Sequence, residues 1–180
     1  MLEDKLLLWK FKQGSSEALE RIYDKYETYL ITVATALLNN TQTAEDVLHD
    51  VFISLVKSSD KIKVSGNLKA YLATCVANLA RNKVKRLQLE PIALDHGDSI
   101  ESVALTPDLL AIQKEETTMV NQALSQLPYE QREVIVLHLQ GNMKFTQIAR
   151  LRSASANTIR SRYRYGLEKL RSLINREVTQ

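Results

Sequence analysis

The sequence predicts an all-α protein built from two small helical domains joined by a flexible linker. Apolar residues recur at three- and four-residue spacing through most of the chain, which is the period of amphipathic helices. Gly and Pro, which interrupt helices, number only five and three in 180 residues. A change of composition in the middle of the chain separates two helical stretches, each long enough for a small domain.

Four helices are expected in the N-terminal domain, residues 1–87. Ser15 or Ser16 can cap the second helix, because a hydroxyl accepts a hydrogen bond from an otherwise unpaired backbone N–H. The four helices are predicted at Leu2–Lys12, Glu17–Leu38, Thr43–Ser58 and Asn67–Leu87. The residues expected to be buried in the third helix are Ala44, Val47, Leu48, Val51, Phe52, Leu55 and Val56.

Two charged surfaces are predicted on this domain. Glu45, Asp46 and Asp50 make the outer face of the third helix acidic. Acids stabilise the first turn of a helix, which accounts for Glu45 and Asp46 if the helix begins at Thr43 but accounts poorly for Asp50. The far end of the fourth helix is basic, through Arg81, Lys83, Lys85 and Arg86. Such charges are ordinary near a helix C-terminus and also suit nucleic acid.

Residues 88–108 are predicted to form an acidic linker. Seven acids and a single Lys lie between residues 88 and 118, and Pro91, Gly97 and Pro107 interrupt the helical period. The C-terminal domain then occupies residues 109–180. Its first helix is expected at about 109–126 and its second at Tyr129–Gln140, after a turn at Leu127-Pro128. The residues expected to be buried in that second helix are Val134, Ile135, Leu137 and Leu139.

A helix-turn-helix is predicted at the end of the chain. Gly141-Asn142 turns the chain into a short helix from Phe145, and Ser155 can cap a longer helix after a tight turn. At 100° per residue, the inward side of the long helix carries Ile159, Tyr163, Gly166, Leu167 and Leu170. The opposite side carries Asn157, Thr158, Ser161, Arg164, Tyr165 and Glu168, with Arg160 and Arg162 on the flanks.

Charge distinguishes this helix from a merely solvated one. From Lys144 to Arg176 there are nine Lys or Arg residues and one acid, Glu168. A solvated amphipathic helix would mix both signs in i, i+4 pairs. Arg, Asn, Thr and Ser side chains on an exposed helix suit base-pair edges and the phosphates beside them. We therefore interpret the helix-turn-helix as a DNA-binding unit.

Composition argues against several other classes of protein. One Cys provides no disulfide framework, and His49, His96 and His138 lack the spacing of metal ligands. There is no Gly-rich phosphate loop and no pairing of a nucleophile with a base. No apolar run approaches 18 residues, and the N-terminus is unlike a signal peptide. We expect a soluble cytoplasmic protein that is not an enzyme and has no cofactor, metal or small-molecule substrate.

Several segments of the chain carry recognisable motifs. The C-terminal half contains Leu127-Pro-Tyr-Glu-Gln-Arg-Glu-Val, then Gly141-x-x-x-Phe145-x-x-Ile148-Ala149, then Asn157-Thr-Ile-Arg-Ser-Arg. The N-terminal half contains Ile22-Tyr-Asp-Lys-Tyr26, Ala44-Glu-Asp-Val-Leu-His-Asp-Val-Phe52, Leu68-Lys-Ala-Tyr-Leu72 and Ala77-Asn-Leu-Ala-Arg-Asn82. These segments resemble regions 4 and 2 of the extracytoplasmic-function (ECF) sigma factors, and the resemblance covers essentially the whole chain outside the linker.

The chain departs from the family pattern at two places in the helix-turn-helix. Gln147 stands where the family often has Glu, and Arg152-Ser153 stands where the family often has Leu-Gly. A Ser in a left-handed turn is strained, because its Cβ crowds the backbone. Ser153 must therefore tolerate a left-handed or near-left-handed turn at a modest cost in strain, unless the geometry of the turn differs, and the assignment to the family holds in either case.

The resemblance implies a promoter-specificity subunit whose partners are the RNA polymerase core and promoter DNA. Region 2 would bind the β′ clamp helices and open the minus-ten element, and region 4 would bind the β flap and read the minus-thirty-five element. It also leaves open an anti-sigma factor as a partner. The acidic face at Glu45, Asp46 and Asp50 would contact the polymerase core.

The resemblance also suggests two sets of DNA contacts. For the minus-thirty-five element these are Asn157, Thr158, Arg160, Ser161 and Arg164, with Arg162 and Lys144 as phosphate contacts. For the minus-ten element they are Ser65, Gly66, Asn67, Lys69, Asn78, Arg81, Asn82, Lys85 and Arg86. In the absence of an aromatic row in this segment, we expect the loop around Gly66 and Asn67 to capture one flipped base.

Two alternatives differ from a sigma factor in kind. A stand-alone repressor or activator would use the same helix-turn-helix without polymerase, and its N-terminal half would then bind a ligand or form a dimer. That half shows basic residues and no evident ligand-binding constellation. An enzyme is the other alternative, and the sequence lacks the catalytic motifs named above that an enzyme would need. Binding to purified core polymerase separates a sigma factor from a stand-alone regulator.

Overall fold

The computed structural model describes residues 2–59, 67–89 and 119–178. Within these residues the chain is helical and contains no strand, which confirms the predicted all-α class. The helices are α1 Leu2–Lys12, α2 Ser16–Leu38, α3 Thr41–Lys57, α4 Leu68–Leu89, α5 119–125, α6 Tyr129–Leu139, α7 Phe145–Leu151 and α8 Ala156–Val178. The predicted acidic linker lies almost wholly outside the described residues.

Helix α2 is the centre of the N-terminal half, where it packs against α1, α3 and α4. Its apolar stripe includes Ile22, Leu30 and Val33, none of which is exposed to solvent. The helix starts at the predicted cap, because the Ser15 hydroxyl accepts a hydrogen bond from the Ala18 backbone N–H at 3.3 Å.

Polar contacts fix α1 against the same helix. The Lys25 ammonium pairs with Asp4 at 2.9 Å and also with Glu3, and the Tyr26 hydroxyl donates to Asp4 at 2.8 Å. Burial and the Asp4 carboxylate raise the pKa of Tyr26 to about 12. Leu7, on the other hand, holds α1 by apolar burial.

The turn between α2 and α3 shows where α3 begins, and this changes the interpretation of its acidic face. Asn39 is left-handed at φ 54°, and the Asn40 side chain caps α3 by accepting from the Thr43 backbone N–H at 2.7 Å. Helix α3 therefore begins at Thr41, before the predicted Thr43. Glu45 and Asp46 consequently lie beyond the first turn, so stabilisation of a first helical turn does not explain them.

The C-terminal half is organised around α6. Helices α7 and α8 pack on one side of α6, and α2 and α4 of the N-terminal half pack on another. Five consecutive residues, from Glu133 to Leu137, are consequently buried. At Gly166 the backbone of α8 comes so close to α6 that a Cβ there would lie 2.8 Å from Ile135 Cδ1.

Two predicted core residues are in fact exposed. Val56 is 48% exposed and Leu139 is 59% exposed. Val56 is in the last turn of α3, beside a shallow apolar groove that also contains Ile53 and Tyr23. Leu139 is the last residue of α6, beyond the part of the helix that is buried between the two halves. The prediction of burial was therefore wrong at both helix ends.

We expect Gly141→Ala to destabilise the protein by about 1–3 kcal/mol, the usual cost of an added methyl group in a packed site. A Cβ at residue 141 would lie 2.4 Å from the Leu137 carbonyl oxygen, and backbone cannot move aside as a side chain can. Gly166→Ala is the matched control, because its Cβ meets the flexible end of Ile135 and Ala favours the helix by about 1 kcal/mol. Thermal unfolding that showed equal losses for both variants would contradict this account.

Candidate nucleic-acid interface

The predicted helix-turn-helix is formed by α7, a four-residue turn and α8. The Lys144 backbone N–H donates to Gln147 Oε1 at 2.8 Å, so the Gln147 side chain caps the start of α7 where the family often has Glu. Ser153 is left-handed at φ 49°, as expected from its position in the turn. The Ser155 hydroxyl accepts from the Thr158 backbone N–H at 3.0 Å, which confirms the predicted cap of α8.

An aromatic cluster fixes the angle between these helices. The His138 ring stacks on Phe145 at 4.2 Å between centroids and meets Tyr163 edge-on at 5.0 Å. Phe145 and Tyr163 are 5.2 Å apart. His138 Nδ1 is also 2.8 Å from the Met143 carbonyl oxygen. His138 is therefore a structural side chain that holds α6, α7 and α8 together.

The outward face of α8 presents the polar side chains predicted for DNA contact. The members of this set that are exposed are Lys144, Asn157, Thr158, Arg160, Ser161 and Arg164, and Arg162 is half-buried. Arg160 Nη1 donates to Asn157 Oδ1 at 3.0 Å, so one Asn and one Arg are already positioned together. The Arg164 guanidinium lies 4.8 Å from the Tyr165 ring centroid, which limits its conformations.

The predicted minus-ten residues have varied surroundings. Ser65 and Gly66 lie outside the described residues. Asn67 Oδ1 accepts from the Lys69 backbone N–H at 2.9 Å, and Lys69 Nζ lies 4.0 Å from the Tyr29 ring centroid. Residues exposed on the second half of α4 are Asn78, Asn82, Lys85 and Arg86, with Arg81 partly buried.

Asn78 and Arg81 contact the C-terminal half, which the sequence did not predict. Asn78 Oδ1 accepts from Arg152 Nη1 at 2.9 Å. Arg81 lies 3.5 Å from Glu130 and 3.8 Å from Glu133, measured between guanidinium nitrogens and carboxylate oxygens. Neither Arg152, in the turn, nor Glu133, within α6, carries a signal in the sequence that it would contact α4.

Glu133 is the buried centre of these contacts. Arg152 binds its carboxylate through two nitrogens, Nε at 2.9 Å and Nη2 at 2.8 Å. Even so, burial raises the pKa of the Glu133 carboxyl, against the opposing effect of Arg152 and Arg81. Arg81 and Arg132 also lie 5.7 and 5.5 Å from the ring of Tyr129, whose pKa burial likewise raises.

The acidic face of α3 is a second exposed surface. Glu45, Asp46, His49 and Asp50 line an open depression of about 500 Å³ together with Lys83 of α4. Lys83 Nζ lies 3.2 Å from Asp46 Oδ2, a surface ion pair that contributes little to stability. In the described part of the chain, no group of three or more His, Cys, Asp or Glu side chains could hold a metal ion.

Comparison with known families accounts for both halves. Residues 22–90 match Sigma-70 region 2, and residues 117–170 match Sigma-70, region 4. The chain belongs to the ECF sigma factor family. Sigma factors direct RNA polymerase to specific promoters for transcription initiation, and that is the function of this chain. Members of this class are in general DNA-binding initiation factors without a catalytic activity of their own.

Two similar proteins align with most of the length of this sigma factor. The RNA polymerase sigma factor CarQ of Myxococcus xanthus is 26% identical over 165 residues, 92% of this chain and 94% of CarQ. The ECF RNA polymerase sigma factor SigW of Bacillus subtilis is 22% identical over 169 residues, 89% of this chain and 90% of SigW.

Two solved structures share the fold of the sigma factor. CnrH, in complex with the cytosolic domain of CnrY, has a TM-score of 0.65 at 18% identity, over 96% of this chain and 97% of that one. The sigma factor RpoE of Bartonella quintana, in complex with the anti-sigma factor NepR, has a TM-score of 0.61 at 25% identity. That match covers 87% of this chain and 98% of RpoE. None of the described helices is long and apolar enough to cross a membrane.

The left-handed conformation of Ser153 in this sigma factor leads to a prediction about stability. Ser153→Val should be less stable than Ser153→Gly by about 1–2 kcal/mol, because a β-branched side chain clashes with the backbone at φ 49° and glycine does not. Chemical denaturation of the two variants beside the parent measures the difference. Equal stability of the Val and Gly variants would mean that residue 153 is not left-handed in solution.

Proposed function

We propose that the outward face of α8 reads the minus-thirty-five promoter element in the major groove. The single observation that carries this proposal is the exposure of five polar side chains together on that face, Asn157, Thr158, Arg160, Ser161 and Arg164. Arg suits the O6 and N7 acceptors of guanine, and Asn suits adenine. The hydrogen bond from Arg160 to Asn157 would place both side chains toward neighbouring bases.

Arg162 and Lys144 would contact phosphates on either side of that groove. Arg162 is half-buried on the flank of α8, and Lys144 is exposed at the start of α7. Contacts of this kind set the position of a protein on the duplex without reading its sequence.

The far end of α4 would bind the minus-ten region. Asn82, Lys85 and Arg86 are exposed there, Arg81 directly precedes Asn82, and Asn78 lies about one turn before Asn82 on the same helix. Asn67 and Lys69, at the start of α4, would take part in capturing a base together with Ser65 and Gly66. The positive charge of Lys85 and Arg86 suits the phosphates upstream of the melted bases.

The acidic face of α3 would bind the polymerase core. Glu45, Asp46 and Asp50 are exposed, and helix-dipole stabilisation does not explain the first two because α3 begins at Thr41. A basic helix of the β′ clamp would complement this surface. In the same scheme, residues 1–87 and 109–180 act as separate functional domains on either side of the linker, and region 4 binds the β flap.

Regulation and location follow from the same family. CnrH and the Bartonella RpoE were each solved with a partner protein, and we propose that an anti-sigma factor also restrains this chain. Acting with RNA polymerase would place it in the cytoplasm, as a subunit without catalytic chemistry. Run-off transcription with purified core enzyme and genomic promoters tests the function, because a stand-alone DNA-binding regulator would bind promoters without binding core.

Asp50→Lys should weaken binding to core polymerase by about tenfold or more, since it places like charge against a basic surface. Helicity and thermal stability should hold, because Asp50 is exposed. The matched control is Asp24→Lys, an equal change of charge at an exposed residue of α2 that does not line the acidic depression. Competition for fluorescently labelled core measures both variants. Wild-type competition by the Asp50 variant would exclude this face as the core-binding site.

Substitutions on α8 should separate base readout from phosphate contact. Arg160→Ala and Arg164→Ala should each lose about 1–3 kcal/mol of discrimination at particular positions of the minus-thirty-five element. Arg162→Ala should weaken binding to all sequences alike and reduce the salt dependence. Holoenzyme binding to a set of single-base promoter variants, at two salt concentrations, gives both quantities. A uniform loss for all three variants would show that none of these side chains reads a base.

A further inference from the structure

Tyr165 is an aromatic side chain on the polar face of α8 to which the proposed DNA contacts give no role. The nearby Tyr163 packs with His138 and Phe145, whereas Tyr165 is 51% exposed to solvent. The guanidinium carbon of Arg164 lies 4.8 Å from the centroid of the Tyr165 ring. Tyr165 is therefore placed to act on Arg164 and not on the core beneath the helix.

The contact between these two residues fixes the direction of the Arg164 side chain. Successive residues of a helix point about 100° apart and do not face each other. The Arg164 side chain must therefore turn along the surface of α8 to reach the ring of the next residue. A planar guanidinium is attracted to the electron-rich face of an aromatic ring. Arg164 is thus held in a restricted set of conformations before any DNA is bound.

Without the ring, Arg164 would have another partner on its own helix. Glu168 is exposed one turn further along, at the i, i+4 spacing at which opposite charges pair. None of the ion pairs formed by the described residues joins Arg164 to Glu168, and the guanidinium lies against Tyr165 instead. A guanidinium paired with Glu168 would have fewer N–H groups left for a base edge.

The other arginine on this face, Arg160, is positioned by a different contact. Its Nη1 donates to Asn157 Oδ1 at 3.0 Å. One arginine is therefore held by a hydrogen bond to the residue three positions before it, and the other by the ring of the residue after it. A change at Tyr165 should consequently act on Arg164 and leave Arg160 as it was.

We propose that Tyr165 is a positioning residue for base readout, which holds the Arg164 guanidinium in the conformation that meets a base edge. A side chain that is already ordered loses less conformational freedom on binding, so its contact with the correct base is strengthened. Tyr165 acts through Arg164 and contacts no base itself. The effect on readout rests on the proposed function of α8, whereas the contact between ring and guanidinium in the free protein does not.

Two substitutions separate the aromatic face of Tyr165 from its hydroxyl. Tyr165→Leu removes the ring, and Tyr165→Phe removes only the hydroxyl. In holoenzyme binding to single-base promoter variants, Tyr165→Leu should lose about two- to fivefold of discrimination at the position where Arg164→Ala loses it. Tyr165→Phe should behave as the parent, and discrimination at the position read by Arg160 should be unchanged in both variants. An equal loss in the Phe and Leu variants would overturn the proposal, because the hydroxyl would then be the group that matters.

A double-mutant cycle tests whether Tyr165 acts through Arg164. In an Arg164→Ala background, Tyr165→Leu should cause no further loss of discrimination, because the group that the ring positions is absent. Thermal unfolding should be the same for all variants, since both side chains are exposed. A loss of equal size in both backgrounds would overturn the proposal and would show that Tyr165 contacts DNA directly.

Nuclear magnetic resonance of the free protein tests the contact without DNA. A ring face shifts the resonances of nearby protons, so the Arg164 Nε–H signal should move in Tyr165→Leu and keep its position in Tyr165→Phe. The Arg160 Nε–H signal is the matched control and should stay in place. An Arg164 signal that does not respond to loss of the ring would overturn the proposal.

The same variants distinguish failure of this proposal from failure of base readout by α8. If Arg164→Ala keeps full discrimination, the proposed readout by Arg164 is wrong, and the positioning role of Tyr165 falls with it. If Arg164→Ala loses discrimination and Tyr165→Leu keeps it, only the positioning role is wrong.

Discussion

The buried carboxylate of Glu133 is the constraint on which the arrangement of both halves depends. Charge inside a protein is costly, and burial raises the pKa of this carboxyl in spite of two neighbouring arginines. The ionised form is therefore tolerable only while Arg152 binds it through two nitrogens. Separating a buried pair by removing one partner typically costs about 3–5 kcal/mol, so the position of Arg152 relative to α6 is tightly held. That position fixes the turn between α7 and α8.

The orientation of the recognition surface follows from that turn. Arg152 holds the turn between α7 and α8, and the cluster of His138, Phe145 and Tyr163 holds the start of α7 and the body of α8 against α6. Gly166 lets the middle of α8 come close to α6. Three separate contacts thus set the angle at which α8 presents its outward face. Exposed side chains on that face can then be polar and variable without affecting the packing beneath them.

The sequence predicted local structure well because the signals are local. The Ser15 and Ser155 caps, the left-handed Ser153 and the inward stripe of α8 each depend on residues within one or two turns. Periodicity failed at Val56 and Leu139, where a helix ends and its last turn extends past its neighbours. The assignment of DNA and polymerase contacts to named residues is still a prediction, since it concerns partners that the chain alone does not contain.

The contact between the halves could not be predicted from the sequence, for a physical reason. Periodicity assumes that a helix has one buried face, whereas α6 is buried on several sides and is continuously inaccessible from Glu133 to Leu137. An acid in such a run looks like a surface residue in the sequence, because its partners Arg152 and Arg81 are 19 and 52 residues away. The hydrogen bond to Asn78 is equally invisible, since it joins a turn to a helix of the other domain.

Charge is distributed unevenly over the surface of the protein. A net charge of only +3 conceals a basic α8, a basic end of α4 and an acidic α3. Non-specific attraction to DNA grows with the number of phosphates neutralised, so closing part of the basic surface reduces binding to random sequence. The contacts of Arg81 with Glu130 and Glu133 cover part of the basic end of α4 but leave the α8 face and Lys85 exposed. The basic residues that stay exposed on α8 and at the end of α4 would give the free protein a weak, salt-sensitive affinity for DNA.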